Sequence, residues 1–317
     1  MNIGERIGLE YGLSTRNAFG ETLEALGGEN VHIVVVDGDV HNSTRTNFFA
    51  DAYPERFFNV GIAESNLIGI ASGLSASGKD VLAASFATFL LCNAYDQIRM
   101  GIAYPRMNVK LVGSHSGISI GEDGPSQMAI EDIALATSLP NFVALVPADE
   151  ASTRKATRAM FTHEGPVYMR TGRPEVPQIY DDESEFEMGK ANQLRDGDDV
   201  TIIACGLMVA VALEASDILA EQDIEARVLD MHTVKPLDRE AIEAAAQETG
   251  VIVTAEEHLL QGGLGAGVAR VVTETHPTRM AFVGIDDTYA ESGEAQDLLV
   301  KYGLMPDDIV TAVEDII

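Results

Sequence analysis

The sequence predicts an α/β protein made of two doubly wound domains. Runs of β-branched and apolar residues alternate with amphipathic segments along the whole chain, and the connections between them are short. A chain of 317 residues is long enough for two domains that each bury a core. The acidic stretch from Asp181 to Glu187 is poor in apolar residues and interrupts the alternation. We therefore predict domains at 1–180 and 197–317, joined by a linker at 181–196.

Six strands and five helices are predicted in the first domain. Residues 31–36 form a β-branched run typical of a strand buried on both faces. The other strands are predicted at 57–60, 81–85, 109–113, 142–146 and 167–170. The helices are predicted at 14–26, 64–77, 91–103, 129–138 and 149–162, with Ser14 or Thr15 as the first N-cap. Residues 37–51 are polar and predict a long loop.

The second domain repeats the pattern. Its strands are predicted at 200–205, 226–229, 251–256 and 280–285, and its helices near 208–222, 239–250, 266–275 and 295–302, with a last helix from Pro306. Repeated βα units indicate mostly parallel sheets. Ligands on such sheets bind at the carboxyl ends of the strands.

Composition excludes several classes of function. The net charge is −29, with acidic residues spread along the chain, so no basic face for nucleic acid is expected. No signal peptide and no apolar run long enough to cross a bilayer is found, so we expect no membrane association. Cys92 and Cys205 are too few and too far apart for a disulfide framework, which favours a reducing, cytoplasmic location.

The high acidity suggests a cytosol rich in salt, where dense surface carboxylates keep a protein solvated; an ordinary acidic mesophilic enzyme is the alternative. If the protein is halophilic, its activity should persist or rise as potassium chloride is added. Loss of activity above moderate salt would contradict this hypothesis. The measurement is a salt titration of activity.

The segment from Phe57 to Glu64 places a carboxylate at a costly position. It is predicted to be a short buried strand that turns at Gly61 and delivers Glu64 to the start of a largely apolar helix. A carboxylate there needs a partner. Either the amides and dipole of the first helical turn supply it, or a ligand does.

Residues 60–66, Val-Gly-Ile-Ala-Glu-Ser-Asn, resemble the catalytic-glutamate segment of thiamine-diphosphate enzymes, above all transketolases and 1-deoxyxylulose-5-phosphate synthases. The resemblance implies that Glu64 hydrogen-bonds N1′ of the cofactor's aminopyrimidine and favours the imino tautomer that activates thiazolium C2. The stretches Ala-Cys-Gly-Leu-Met, His-Thr-Val-Lys-Pro and Glu-Glu-His-Leu-Leu-Gln-Gly-Gly resemble the transketolase C-terminal domain. The likeness thus covers nearly the whole chain and implies a pyrimidine-binding module followed by that domain.

The aromatic segment that begins Phe86-Ala-Thr-Phe-Leu matches the transketolase segment that packs rings around the aminopyrimidine. The resemblance implies that Phe89 stacks on the pyrimidine and that Tyr95 is a second aromatic residue of the pocket. Cys92 departs from the family, which often has another aromatic residue there. The alternative is a core strand that runs into a helix.

Residues 115–127, from His115 to Gln127, resemble the transketolase substrate loop. The resemblance implies that His115 contacts the sugar phosphate and that Asp123 contacts the donor hydroxyls at C2 or C3. Gln127 stands where transketolases usually carry a second histidine; it can hydrogen-bond but cannot take a proton. The alternative is a flexible loop with an incidental histidine and acid.

Three further positions match the phosphate-binding groups of transketolases: Arg16, Ser43 and Arg173. Arginine suits phosphate because its guanidinium binds in a bidentate manner. Asp39 matches an acid of the family that lies near the cofactor. These matches favour transketolases over β subunits of 2-oxo-acid dehydrogenases, whose substrates lack the sugar phosphate.

The family's Gly-Asp-Gly metal motif is not found, since Val36-Asp-Gly-Asp-Val does not fit it. We therefore expect no metal site in this chain. Mg²⁺ and the diphosphate are expected on a separate N-terminal subunit, with the active site between the subunits. An α2β2 assembly is implied by the resemblance.

The sequence thus predicts the β-type subunit of a split transketolase, acting in pentose phosphate metabolism. It would transfer a two-carbon ketol unit between sugar phosphates and would be inert alone. A subunit similar to 1-deoxyxylulose-5-phosphate synthase or to a specialised sugar transketolase is the first alternative. A non-catalytic regulatory subunit of the same fold is the second.

Overall fold

The computed structural model describes residues 3–317, in which the strands form two large sheets and one small one. The strands are β1 Tyr11–Ser14, β2 Ile33–Asp37, β3 Phe57–Asn59, β4 Asp80–Phe86, β5 Val109–Ser114, β6 Val143–Leu145, β7 Val167–Arg170, β8 Glu175–Pro177, β9 Asn192–Arg195, β10 Val200–Ala204, β11 Ala226–Asp230, β12 Thr233–Lys235, β13 Val251–Leu259 and β14 Arg279–Ile285.

The helices fill the connections between these strands. They are α1 Thr15–Glu29, α2 His41–Thr44, α3 Asn47–Ala52, α4 Glu64–Ala76, α5 Tyr95–Gln97, α6 Asp132–Ser138, α7 Glu150–Thr162, α8 Met208–Ala220, α9 Arg239–Glu248, α10 Leu264–Glu274, α11 Ala295–Lys301 and α12 Pro306–Glu314. Two π-helical segments, Phe89–Asn93 and Ile98–Ala103, flank α5, and 3₁₀ turns occur at Pro54–Arg56 and Gly121–Asp123.

The first sheet has the order β3-β2-β4-β5-β7-β6-β12 and is parallel except for β12. Its β2 strand is buried along its whole length, as predicted for a central strand of a parallel sheet. Ile33 and Val35 join the core under α1 and α7, whereas Val34 and Val36 join the core under α4. This two-sided burial confirms the doubly wound α/β arrangement.

The second sheet has the order β14-β13-β10-β11-β9 and is parallel except for β9. Helices α8 and α12 pack together, as do α9 and α10. The two domains share more than a linker, because β12 leaves the second domain and pairs with β6 of the first. One continuous apolar cluster, which includes Leu67, Leu139 and Val268, extends through both domains.

Several local expectations were wrong. Residues 37–51 are not a long loop but contain α2 and α3, because Thr44 and Thr46 bond to buried Asp37 and draw the chain into short helices. Strand β3 is not buried but is an edge strand, with Phe58 40% exposed. The predicted linker at 181–196 also contains the short strand β9, which pairs with β11. Strands β1, β8 and β12 are too short to give a pattern in the sequence.

A buried polar network lies where the domains meet. The Nε atom of Arg170 is 3.0 Å from Oδ2 of Asp132, and both side chains are buried. The hydroxyl of Tyr168 donates a 2.7 Å hydrogen bond to the same carboxylate. Arg170 also donates to the carbonyl oxygen of Glu257 in the second domain at 2.8 Å. No helix within residues 3–317 is long and apolar enough to span a membrane.

Replacing Arg170 with leucine should lower the free energy of unfolding by about 3–5 kcal/mol, because the carboxylate of Asp132 would remain buried without its counter-ion. The matched control is Arg270→Leu, which removes an exposed ion pair with Glu274. That control should change stability little, since exposed ion pairs contribute little. Denaturant unfolding measures both variants, and equal effects would contradict a special role for the buried pair.

Candidate active site

Most of the predicted site residues lie in the segments that follow the carboxyl ends of the parallel strands of the first sheet, whereas Arg16 lies on α1, after β1 of the small sheet. Strand β3 lies on one side of β2, and β4 with the later strands lies on the other. Loops that leave the sheet at such a switch point diverge and form a crevice for ligands. The predicted residues follow five strand ends: Asp39 and Ser43 after β2, Glu64 after β3, Phe89 after β4, His115, Asp123 and Gln127 after β5, and Arg173 after β7.

Glu64 begins α4, as predicted, and is only 6% exposed. Gly61 has a φ of +75°, which glycine adopts without strain, and it turns the chain from β3 into the helix. The Ser85 hydroxyl donates a 3.1 Å hydrogen bond to Glu64 Oε1. Within residues 3–317 this is the only hydrogen bond to the carboxylate. A buried carboxylate with one neutral partner keeps the capacity to accept from a ligand.

Phe86, Phe89 and His115 form a stack of three flat rings. The Phe86 ring is 5.6 Å from the Phe89 ring at an interplanar angle of 6°, and 3.9 Å from the His115 ring at 12°. Phe86 follows Ser85, the partner of Glu64, at the end of β4. Sequence reasoning gave Phe86 no role of its own, although its place at the carboxyl end of a strand was a usable signal.

Tyr95 is engaged elsewhere. Its hydroxyl is 3.2 Å from the Leu135 carbonyl oxygen and 2.5 Å from the Ser138 hydroxyl, at the end of α6. Its ring packs against the hydrophobic core. Within the described residues no hydrogen bond or ring contact joins Tyr95 to Glu64, Phe89 or His115. The contacts of its hydroxyl and ring are thus with α6 and the hydrophobic core.

Arg16, Ser43 and His115 come together although they are far apart in sequence. The Nη1 atom of Arg16 donates to the Ser43 carbonyl oxygen at 3.0 Å and lies 3.4 Å from His115 Nε2. His115 is buried, and its Nδ1 is 2.8 Å from the Ser114 hydroxyl. The arrangement groups a guanidinium and an imidazole at the crevice.

Arg45 belongs to the same cluster and was missed by sequence reasoning. Its Nε donates to Asn17 Oδ1 at 2.6 Å and its Nη1 donates to the Asn42 carbonyl at 2.8 Å. The tripeptide Ser-Thr-Arg occurs three times, ending at Arg16, Arg45 and Arg154, and Arg154 pairs with Glu21 and Glu150 instead, so the tripeptide alone does not identify Arg45. We call Arg16, Ser43, Arg45, His115 and Arg173 the anion recess.

Like charges crowd the anion recess. Burial, followed by Arg16, Arg173 and Arg45, lowers the pKa of His115 to about 3, so the imidazole is neutral at neutral pH. Burial, followed by Arg45 and Arg173, lowers the pKa of Arg16 to about 10, against an opposing effect of Asp123. An anion placed among these groups would relieve their repulsion. The recess is therefore suited to a phosphate or a similar group.

Buried Asp37 holds the β2 loop in shape. Its carboxylate accepts hydrogen bonds from Val40 N at 2.8 Å, Thr44 Oγ1 at 2.9 Å and Thr46 Oγ1 at 2.8 Å. These bonds fix the segment that carries Ser43 and Arg45. Asp39, by contrast, is exposed, and its Oδ1 accepts from Asn59 Nδ2 at 2.6 Å.

The loop after β5 places its acids against Arg173. The Nη1 atom of Arg173 donates to the Ile120 carbonyl at 3.0 Å and lies 3.5 Å from the carboxylates of Glu122 and Asp123. Gln127 accepts a hydrogen bond from the Ser126 hydroxyl. Asp123 is thus tied to the anion recess. Among residues 3–317, no group of three or more His, Cys, Asp and Glu side chains is placed to hold a metal ion.

Comparison with known proteins agrees with this fold. The family described as transketolase, pyrimidine binding domain matches residues 12–178, and transketolase, C-terminal domain matches residues 189–309. The fold and the crevice therefore define an α/β protein of the thiamine-diphosphate enzyme class. The chain belongs to the transketolase family, which implies the use of thiamine diphosphate.

Three relatives refine this assignment. A putative transketolase C-terminal section from Methanocaldococcus jannaschii is 43% identical over 301 residues, 94% of each chain. A 6-deoxy-6-sulfo-D-fructose transketolase subunit from a Clostridium species is 40% identical over 284 residues, 90% of this chain and 88% of that one. A solved split-gene transketolase, described as an inactive β4 tetramer, has a TM-score of 0.90 at 48% identity and covers 96% of this chain and 98% of that one. The resemblance to the C-terminal subunit of a split transketolase is confirmed.

We expect the His115 imidazole to stay neutral down to about pH 4 in phosphate-free buffer, because burial and three guanidinium groups disfavour its protonation. Its folded pKa of about 3 lies below the ordinary 6.5. The neutral ring therefore contributes stability above pH 6.5, and this contribution is lost as the pH falls from 6.5 towards 3. NMR titration measures the pKa, with His115→Gln to assign the signal.

Inorganic phosphate should raise the pKa of His115 in the same titration, because a bound anion offsets the neighbouring positive charges. A pKa of His115 near 6.5 without phosphate, or one that phosphate does not move, would contradict an anion recess.

Proposed function

We propose that this chain is the β-type subunit of a split transketolase that transfers a two-carbon ketol unit between sugar phosphates. The observation that carries the proposal is the position of His115. The His115 ring stacks on Phe86, which directly follows Ser85, the hydrogen-bond partner of Glu64. The Nε2 atom of His115 faces Arg16 of the anion recess. One residue thus joins a cofactor-type surface to a phosphate-type surface, as a ketol transfer between sugar phosphates needs.

The chain's residues fit the pyrimidine end of thiamine diphosphate. Glu64 offers a buried carboxylate that keeps acceptor capacity, and the half-buried Phe89 ring offers a flat apolar face. When bound, the cofactor supplies a carbanion that carries the two-carbon unit. We assign to Glu64 the hydrogen bond to pyrimidine N1′ and to Phe89 the stacking contact. The exposed Asp39 is assigned to the rim of the cofactor site. Tyr95 would support the cofactor site indirectly, through the packing of its ring against the hydrophobic core.

The anion recess supports a phosphorylated substrate. Arg16, Ser43 and Arg173 are assigned to the phosphate, and Arg45 adds a third guanidinium. His115, being neutral, can donate a hydrogen bond to phosphate or sugar without adding positive charge to the recess. Asp123 and Gln127 are assigned to the donor hydroxyls.

Gln127 and the relatives favour one specific alternative. A relative 40% identical to this chain is named for a sulfonated sugar rather than a phosphorylated one. The glutamine occupies the place of a usual histidine and cannot accept a proton. A specialised sugar transketolase, or a subunit similar to 1-deoxyxylulose-5-phosphate synthase, is therefore the second candidate function.

We infer that a separate subunit supplies the diphosphate and Mg²⁺ sites. The chain has no Gly-Asp-Gly metal motif. The solved relative described as a β4 tetramer is also described as inactive. We propose an α2β2 complex in which the crevice at the first sheet faces the partner subunit. Two cysteines without a disulfide, Cys92 and Cys205, support a cytoplasmic location.

The proposal is tested by reconstitution. The chain is mixed with its candidate N-terminal partner, thiamine diphosphate and Mg²⁺, and then with xylulose 5-phosphate and ribose 5-phosphate at low and high salt. A seven-carbon ketose phosphate should form only when both chains are present. Cofactor binding without turnover of these sugars would overturn the substrate assignment and favour the specialised alternative.

In the reconstituted complex, Glu64→Gln should lower kcat by about 10²–10⁴-fold, because an amide cannot promote proton movement at the pyrimidine as a carboxylate does. Glu24→Gln is the matched control, since Glu24 is exposed on α1. It should leave kcat unchanged. A Glu64→Ala complex as active as the wild type would instead support a regulatory subunit.

A further inference from the structure

The second domain contributes none of the residues assigned above, yet it holds the loop that carries three of them. We call residues 115–127 the site loop. From the second domain, contacts to this loop come from the end of β13 and from the segment before α11, whereas the first domain contacts it through Thr171 and Arg173. Among the second-domain contacts, the Glu257 carboxylate accepts a hydrogen bond from the loop backbone.

Glu257 accepts a hydrogen bond from the backbone of the site loop. Its Oε1 lies 2.6 Å from the amide nitrogen of Ser119, and the side chain is buried. Gly117 makes this approach possible, because a Cβ there would lie 2.2 Å from the Glu257 carboxylate. Gly117 also has a φ of +78°, a conformation that side chains rarely adopt. The start of the site loop is thus shaped around this carboxylate.

The residues next to Glu257 hold the chain just after the loop. The Leu259 amide donates to the Ile130 carbonyl at 2.8 Å, and His258 Nε2 accepts from the Ala134 amide at 3.2 Å. In the middle of the loop, Gly124 packs against Ser292. The start of the site loop and the segment just after the loop are therefore both fastened to one strand end of the second domain.

We propose that Glu257 is a positioning residue, which sets the site loop so that His115 and Asp123 meet the substrate. The proposal rests on the function proposed above. A charged acceptor binds a backbone amide more strongly than a neutral one does, and a buried amide left without a partner is costly. Without the carboxylate, the turn at Ser119 would lose its anchor while β5 and Glu64 remained in place. The expected defect is therefore in substrate binding, with cofactor binding preserved.

Glu256 provides a matched control on the same strand. Its carboxylate accepts from the amides of Leu264 at 2.6 Å and Gly265 at 2.8 Å, at the start of α10. It is buried like Glu257 but turns away from the site loop. Its Oε2 lies 3.8 Å from His258 Nδ1, and no hydrogen bond joins it to the site loop within the described residues. Glu256→Gln therefore perturbs a neighbouring buried carboxylate while it leaves the Glu257–Ser119 bond in place.

The first test is hydrogen–deuterium exchange on the isolated full-length chain, which needs no partner and no activity. In Glu257→Leu, exchange in peptides covering 117–127 should rise roughly tenfold, because local opening becomes easier. Glu257→Gln, which keeps one acceptor oxygen, should restore most of the protection. Glu256→Gln should leave the site loop as in the wild type. Unchanged exchange in Glu257→Leu, or equal increases throughout both domains, would overturn the proposal.

The second test is kinetic and uses the reconstituted complex. Glu257→Leu should raise KM for the sugar phosphate about tenfold, with a smaller change in kcat and unchanged affinity for thiamine diphosphate, since uniform binding would be lost. Glu257→Gln should recover most of that KM. A loss of cofactor affinity equal to the loss of substrate affinity would overturn the proposal. If the wild-type complex turns over no sugar phosphate, the proposed function is wrong. The exchange experiment tests the anchoring of the loop by Glu257 independently of that outcome.

Discussion

The register of three parallel strands determines where everything else at the crevice lies. Asp37 of β2 pairs with Ala84 of β4, and Phe86 at the end of β4 pairs with Ser114 at the end of β5. Because these strands end at nearly the same level, their loops emerge side by side. The aromatic stack and the anion recess therefore lie side by side, because the ends of the strands position both of them. A shift of β4 by one residue would separate Phe86 from His115 and reverse the facing of every core residue on that strand.

Much of the fold follows from the sequence, because buried parallel strands produce β-branched runs and the helices between them have recognisable starts. The failures have physical causes. Residues 41–52 form short helices because the hydroxyls of Thr44 and Thr46 bond to the Asp37 carboxylate. Such a side-chain contact leaves no periodic pattern of apolar residues in the sequence. Strands β9 and β12 each have fewer than five residues and are held by pairing to a neighbouring strand. Their stability is tertiary, so local propensity does not identify them.

The residues of the candidate site also differ in how far the sequence alone identifies them. Glu64, His115 and Asp123 could be proposed as site residues from the sequence because their segments carry a distinctive order of residues. Arg45 and Glu257 could not, since their proposed roles depend on which groups the fold brings to them. Phe86 was visible in the sequence, but only the stack with His115 separates it from an ordinary core aromatic. Tyr95 matches the family motif in sequence, and in the fold its hydroxyl bonds to α6.

The net negative charge of the chain and the anion recess act on an anionic ligand in opposite directions. A net charge of −29 repels a phosphate at a distance, whereas Arg16, Arg45 and Arg173 attract it at close range. Salt screens exposed charges beyond about 8–10 Å and affects partly buried groups much less. Added salt therefore weakens the repulsion more than it weakens the recess. Under the proposed function, a high-salt solution would therefore favour capture of an anionic substrate by these partly buried arginines.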